Sequence, residues 1–130
     1  MIVLDASAAI EVLLQTAAGA PVAERLLMED SSLHAPHLLD VEVAQVLRRF
    51  VVKKELPAER AEQALQDLSD LPVERYSHDL LLPRAWELRH NLTAYDAVYV
   101  ALAEILGATL LTRDDRISRA SGHIAHVEVF

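Results

Sequence analysis

The chain has 130 residues, 52% of them hydrophobic, and a formal net charge of -8. That length and composition fit one domain, residues 1–130, with a two-sided core, and the acidic balance argues against sequence-independent binding of duplex nucleic acid over a broad surface. Cysteine is absent, which excludes disulfides, a thiolate zinc site and a Cys nucleophile, and the three glycines form neither of the phosphate-cradling patterns of nucleotide-binding loops.

Met1 to Ser7 reads Met-Ile-Val-Leu-Asp-Ala-Ser, an apolar run that ends in a carboxylate. A run without alternation suits a strand buried on both faces, as in a parallel sheet covered by helices. Ser7 is a suitable N-cap for a helix over residues 8–14, so Asp5 falls where a strand hands over to a helix. The start carries no basic segment before its apolar run, and no apolar stretch reaches the roughly 18 residues of a membrane span. A soluble, cytoplasmic protein without a membrane partner is expected.

The small residues 16–21 break the pattern, and Pro21 stands near the start of a second helix running to about Glu29. A brief strand over residues 31–36 ends at Pro36. A long helix follows over residues 38–53, with Leu39, Val43, Val46, Leu47, Phe50 and Val51 on its apolar face and Glu42, Gln45, Arg49 and Lys53 along another side. Pro57 opens a helix over residues 58–69, and residues 71–76 hold a short strand candidate. Residues 79–90 read as a helix with Trp86 and Leu88 turned inward and Asn91 as its C-cap. Thr93 caps the next helix, Asp96 stands three residues on, and Gly107 closes it. Residues 108–112 form the second buried strand, which also ends in acids, Asp114 and Asp115, before a helix over residues 116–120. Residues 124–130 read as an edge strand with Val127 and Val129 alternating against His126, Glu128 and Phe130.

Strands alternating with helices make a parallel sheet, and right-handed crossovers put every strand-to-helix junction on one edge. Asp5 and Asp114 lie at that edge, while Glu42 and Asp96 lie in the first turns of helices, where the dipole favours negative charge. At about 5 Å and an effective dielectric of 20, each pair of these carboxylates would repel by about 3 kcal/mol, so a cluster needs cations or raised pKa values. Oxygen-preferring Mg²⁺ or Mn²⁺ suits such a set. Each acid also has an ordinary structural role, as cap or first-turn residue, and spacing alone leaves both readings open. The pairs His34/His37 and His123/His126 lack the helical H-E-x-x-H context of a zinc site. Tyr95, Tyr99 and Trp86 read as packing residues rather than base-stacking platforms.

The set Asp5-x-Ser7, Glu42 within residues 38–47, Thr93-Ala94-Tyr95-Asp96-Ala97, and Leu111-Thr112-Arg113-Asp114 with Ile117 resembles the PIN-domain family, specifically VapC-type toxins, over nearly the whole chain. The resemblance implies a three-layer α/β/α sandwich around a central, mostly parallel sheet. It matches Asp5, Glu42, Asp96 and Asp114 to the acidic quartet that binds Mg²⁺ or Mn²⁺ and cuts RNA, and Ser7 and Thr112 to hydroxyls near it. Asp114 rather than Asp115 has the family's Thr-x-Asp spacing, and Gln45 stands where the family often has Asn. An endoribonuclease acting as the toxin of a toxin–antitoxin pair is implied, with a VapB-type antitoxin and a homodimer as partners. Arg49, Lys53, Arg113 and Arg116 are candidates for holding RNA phosphates. The antitoxin is expected on exposed apolar surface of the helices over residues 8–29 and 38–52. The alternative is a PIN-like module that binds RNA or a protein without cutting. Two further classes with an Asp after the first strand fit poorly: Asp5 has no neighbouring acids and no late lysine, as a phosphoacceptor receiver would, and Ser7 occupies the second acid of a phosphatase Asp-x-Asp.

Overall fold

The computed structural model describes residues 1–28 and 31–130. Among these, the strands β1 (Ile2–Leu4), β2 (Leu33–Pro36), β3 (Val73–Tyr76), β4 (Thr109–Thr112) and β5 (His126–Val129) form one sheet in the order β3-β2-β1-β4-β5, with every pairing parallel. The two continuous apolar runs of the sequence, β1 and β4, are neighbours at its centre. Parallel strands need crossovers, and seven α-helices supply them: α1 (Ala6–Leu13), α2 (Ala20–Met28), α3 (Leu38–Val52), α4 (Ala58–Asp70), α5 (Leu82–Glu87), α6 (Ala94–Leu106) and α7 (Asp115–Arg119).

The pleat of β1 divides the core. Ile2 and Leu4 face a cluster with residues of α1 to α4, such as Ala9, Val22, Leu39, Val43, Ala64 and Leu68. Val3 faces the other cluster, with Leu81, Leu88, Leu102, Leu110 and Ile117. The expected three layers are therefore present. β1 is followed by crossovers to one side of the sheet and β4 by a crossover to the other, so the strand order reverses between β1 and β4. Ligands of such sheets bind at the carboxyl ends of the strands flanking that reversal.

Several local expectations are corrected. The first helix begins at Ala6 and Asp5, not Ser7, is its N-cap: the Asp5 carboxylate accepts the Ala8 N–H at 3.0 Å. The helix expected over residues 79–90 is a 3₁₀ turn (His78–Leu80) followed by the short α5, which ends at Glu87 with Leu88 rather than Asn91 as its C-cap. Within it Leu81, Ala85 and Leu88, spaced by four and three, take the buried positions. Trp86 falls off that stripe and is 69% exposed, with the Arg89 guanidinium 4.9 Å from the centre of its ring. Tyr95, also expected to pack, is 64% exposed. β5 does not alternate as expected: Val129 is exposed, Glu128 pairs with Arg25 of α2 at 2.8 Å, and Phe130 packs on the first core cluster. α2 is described to Met28, and its expected end at about Glu29 lies outside the described residues.

The rest follows the local chemistry. Pro57 precedes α4, and Thr93 caps α6 through the Asp96 N–H. Gly107 ends α6 in the left-handed conformation at φ 61°, a conformation that costs a residue with a Cβ about 1 kcal/mol. The start of α3 is satisfied from a distance, since the Leu38 N–H donates to His78 Nε2 at 2.9 Å. Among the described residues no single helix is long and apolar enough to cross a membrane.

Candidate active site

Asp5, Glu42, Asp96 and Asp114 line one small pocket of about 90 Å³, together with Ala6, Ser7 and Tyr99. It lies at the carboxyl ends of β1 and β4, where the strand order reverses. Four segments deliver the acids: the β1–α1 junction, the second turn of α3 rather than the first turn expected for Glu42, the first turn of α6 and the β4–α7 junction.

Asp5 is the most enclosed, 6% exposed. Its Oδ1 accepts from the Ser7 hydroxyl at 2.7 Å and the Ala8 N–H, and its Oδ2 accepts from the Thr112 hydroxyl at 2.5 Å. Each hydroxyl does double duty. Ser7 Oγ also accepts the Arg113 N–H at 2.9 Å, and Thr112 Oγ1 the Asp114 N–H at 3.0 Å. The two junctions are thus laced together through Asp5, which puts Ser7 and Thr112 beside the acids as the sequence suggested.

Burial is the largest influence on Asp5 and pushes its carboxyl above the usual carboxylate range against these hydrogen bonds, with the Asp96 charge adding to it. Glu42 is raised by burial and by the charges of Asp5 and Asp96, opposed by a hydrogen bond from Tyr99. Asp96 is raised by burial and by Asp114, opposed by Thr93 and Arg116. Asp114 differs: the Arg116 guanidinium, 2.6 Å away at its nearest, holds the carboxyl below its ordinary value. Asp114 also caps α7. Burial and like charge thus weigh on three of the four acids.

Asp115 is not in the pocket lining; it pairs with Arg119 at 3.2 Å on the surface. Arg116 is at the rim through Asp114, the Arg113 side chain lies 3.7 Å from Glu11, and Arg49 on α3 and Lys53 at its C-cap are exposed. The histidine pairs do not act together. His34 is buried between the Ser32 and Tyr76 hydroxyls at 2.7 and 2.8 Å, whereas His37 lies edge-on to His78 and His123 bonds the Ile117 carbonyl.

One pocket residue escaped the sequence reading. Tyr99, assigned there to packing, is 2% exposed, and its hydroxyl donates to Glu42 Oε1 at 2.7 Å. Its place one turn after Asp96 on the same helix was the available signal.

The donor set suits a hard divalent cation: every charged group is a carboxylate, the neutral groups are hydroxyls, and no nitrogen or sulfur side chain lines the pocket. As placed, no three acidic or histidine side chains among the described residues converge tightly enough to hold an ion, with Asp5 bound to its hydroxyls and Asp114 to Arg116.

The PIN domain family matches residues 2–122. Ribonuclease VapC1 of Mycobacterium tuberculosis is 47% identical over 121 residues, 92% of this chain and 90% of its own. Ribonuclease VapC12 of the same species is 43% identical over 129 residues, 99% of this chain and 98% of its own. Among solved structures, M. tuberculosis VapC20, described as a sarcin-ricin loop cleaving toxin, superposes with a TM-score of 0.69 at 20% identity, covering 95% of this chain and 97% of its own. VapBC2 from Rickettsia felis, bound to a DNA fragment from its promoter, gives 0.70 at 15% identity over 100% of this chain and 99% of that one. An acid-lined pocket at the reversal point of a parallel sheet thus comes with relatives that match almost end to end, and the chain belongs to the PIN-domain family, among the VapC ribonucleases.

Proposed function

We propose that this protein is an endoribonuclease, the toxin of a toxin–antitoxin pair, and that it hydrolyses RNA phosphodiester bonds at the pocket of Asp5, Glu42, Asp96 and Asp114 with Mg²⁺ or Mn²⁺ as cofactor. The observation that carries the site is the gathering of four carboxylates from four separate segments into one pocket. A non-catalytic module gains nothing from that repulsion, so the alternative binding role is disfavoured.

Asp5, Glu42 and Asp96 would hold the cation, with Asp114 completing the set. When bound, the cation supplies Lewis acidity, neutralising charge on the phosphoryl group and making the attacking water more acidic. Asp5 is fixed by three donors and offers a rigid carboxylate. Asp96, half-buried at a helix N-terminus, would orient the water that attacks phosphorus while the opposite P–O bond breaks. Arg116, paired with Asp114, stands beside the pocket, where a phosphate would arrive; Arg113 lies by Glu11 and Arg49 further along α3. They offset an acidic surface that otherwise repels RNA.

A VapB-type antitoxin is the proposed protein partner. Leu27 and Met28 of α2 and Val41 and Val52 of α3 are exposed, and a groove of about 520 Å³ runs beside α2, lined by Val12, Ala23, Leu26, Leu27 and Leu71. For the proposed homodimer, the exposed Leu80, Leu82, Trp86 and Tyr95 beside a groove of about 730 Å³ make a second apolar face, rich in the residue types that anchor interfaces. Glutamate at Trp86 should then leave a monomer in sedimentation. We place the protein in the cytoplasm, where RNA and such a partner meet.

The test of the activity is incubation of the purified chain with a defined set of structured RNAs, with Mg²⁺, Mn²⁺ or chelator, and mapping of the product ends. Internal cuts that need the divalent ion support the reading. Intact RNA under all conditions, from folded protein that still binds RNA, refutes it.

A further inference from the structure

We propose that Tyr99 is a positioning residue that sets the Glu42 carboxylate for metal binding, an inference that rests on Glu42 being one of the cation-holding acids. The four acids are anchored unequally. Asp5 is fixed by Ser7, Thr112 and the Ala8 N–H, all within its own pair of junctions. Asp96 has Thr93 and Asp114 has Arg116, each a near neighbour in the chain. Glu42 has the longest side chain of the set, three rotatable bonds, and receives its hydrogen bond from 57 positions away, from the Tyr99 hydroxyl at 2.7 Å.

The tyrosine is itself buried. Its ring is 2% exposed within the core cluster that holds Val98, Val100 and Leu102, so the hydroxyl has a fixed position relative to α6. α6 also carries Asp96 in its first turn. One helix therefore sets two of the acids, Asp96 directly and Glu42 through the phenol. Occupying Oε1 leaves Oε2 of Glu42 for the pocket, since one carboxylate oxygen suffices for a ligand. A phenylalanine would fill the same core space, so the hydroxyl is the part of Tyr99 that packing does not require. Groups that orient a metal ligand without touching the metal typically change its affinity by about 10-fold or more when removed.

The experiment is titration calorimetry of Mn²⁺ alone into the parent protein, Tyr99→Phe, Glu42→Gln and Val100→Ala, with a metal-free melting curve for each. Val100 is buried on the same helix and outside the pocket, so its truncation reports what mere loosening of α6 does. The expected result is Mn²⁺ affinity about 10-fold weaker in Tyr99→Phe, weaker still in Glu42→Gln and near the parent in Val100→Ala. In the same Tyr99→Phe variant, RNA cleavage at saturating Mn²⁺ should recover toward the parent rate. If Glu42→Gln loses affinity while Tyr99→Phe does not, or if Val100→Ala loses as much as Tyr99→Phe, the role of Tyr99 is overturned. If Glu42→Gln binds Mn²⁺ like the parent, the cation-holding role of Glu42 falls and takes the proposal with it.

Discussion

Replacing Thr112 by Val keeps the shape of a residue buried in β4 and removes one hydroxyl. That hydroxyl donates to Asp5 Oδ2 and accepts the Asp114 N–H, so two polar groups lose a partner at once. The bond to Asp5 is made to a buried carboxylate, and hydrogen bonds to charged groups contribute about 1.5–3 kcal/mol, with roughly another 1 kcal/mol for the amide. A loss of about 2–4 kcal/mol follows for the metal-free protein at a pH high enough to ionise Asp5, whose carboxyl burial pushes above the usual range. For a chain of this length 1 kcal/mol corresponds to roughly 4 °C in Tm, so the drop should be about 8–15 °C. The assay is thermal unfolding followed by far-UV circular dichroism in chelator, with Thr112→Ser, which retains the hydroxyl, as comparison. The serine variant should recover most of the loss. A valine variant melting within about 2 °C of the parent would refute the claim that this hydroxyl laces the two junctions together.

Other perturbations test other parts of the site. Asp5, Glu42 and Asp96 bind protons more tightly folded than unfolded, so their contribution to stability is present at acidic pH and lost as pH rises through their folded pKa values. In chelator, Tm should therefore fall as pH rises above the ordinary carboxylate range, and Mn²⁺ at the upper pH should restore it; a Tm that rises with pH there would contradict the assignment. Asp96→Asn removes one of the repelling charges and should leave metal-free Tm at pH 7.5 unchanged or higher while cleavage falls by about 100-fold or more, read from melting and RNA cleavage on the same preparation. Gly107→Ala, at φ 61° with open space around it, should cost about 1 kcal/mol, visible as roughly 4 °C in a melting curve. Arg116→Ala breaks an exposed, solvent-screened ion pair and should leave the urea unfolding midpoint close to that of the parent, even though it removes the cation beside Asp114.

The framework was legible because its signals are local. The solid apolar runs of β1 and β4 mark buried parallel strands, and the acid after each falls at the sheet edge whatever the exact strand limits. The structural reading of Asp5 holds, since the carboxylate caps α1, and the same carboxylate lines the pocket, so a cap does not exclude a site there. What was not legible depends on contacts between distant segments. The Tyr99–Glu42 bond joins residues that no periodicity connects, and an Ala-rich helix makes any tyrosine look like core. Trp86 was placed inward on its apolar character, but a short helix offers a narrow buried stripe and Leu81, Ala85 and Leu88 fill it. β5 lacks clean alternation because Glu128 is paired by Arg25 on one side and Phe130 reaches into the core.

The measurement that tests the central claim most directly is cleavage of one structured RNA by the parent protein, Asp5→Asn and Asp96→Asn, each purified identically and assayed across a Mn²⁺ titration, with Tm recorded to show that each is folded. The account predicts metal-dependent internal cleavage by the parent, lost in both variants while their folds persist. Cleavage that survives in both folded variants, or parent activity that is indifferent to chelator, would contradict an active site built on these carboxylates.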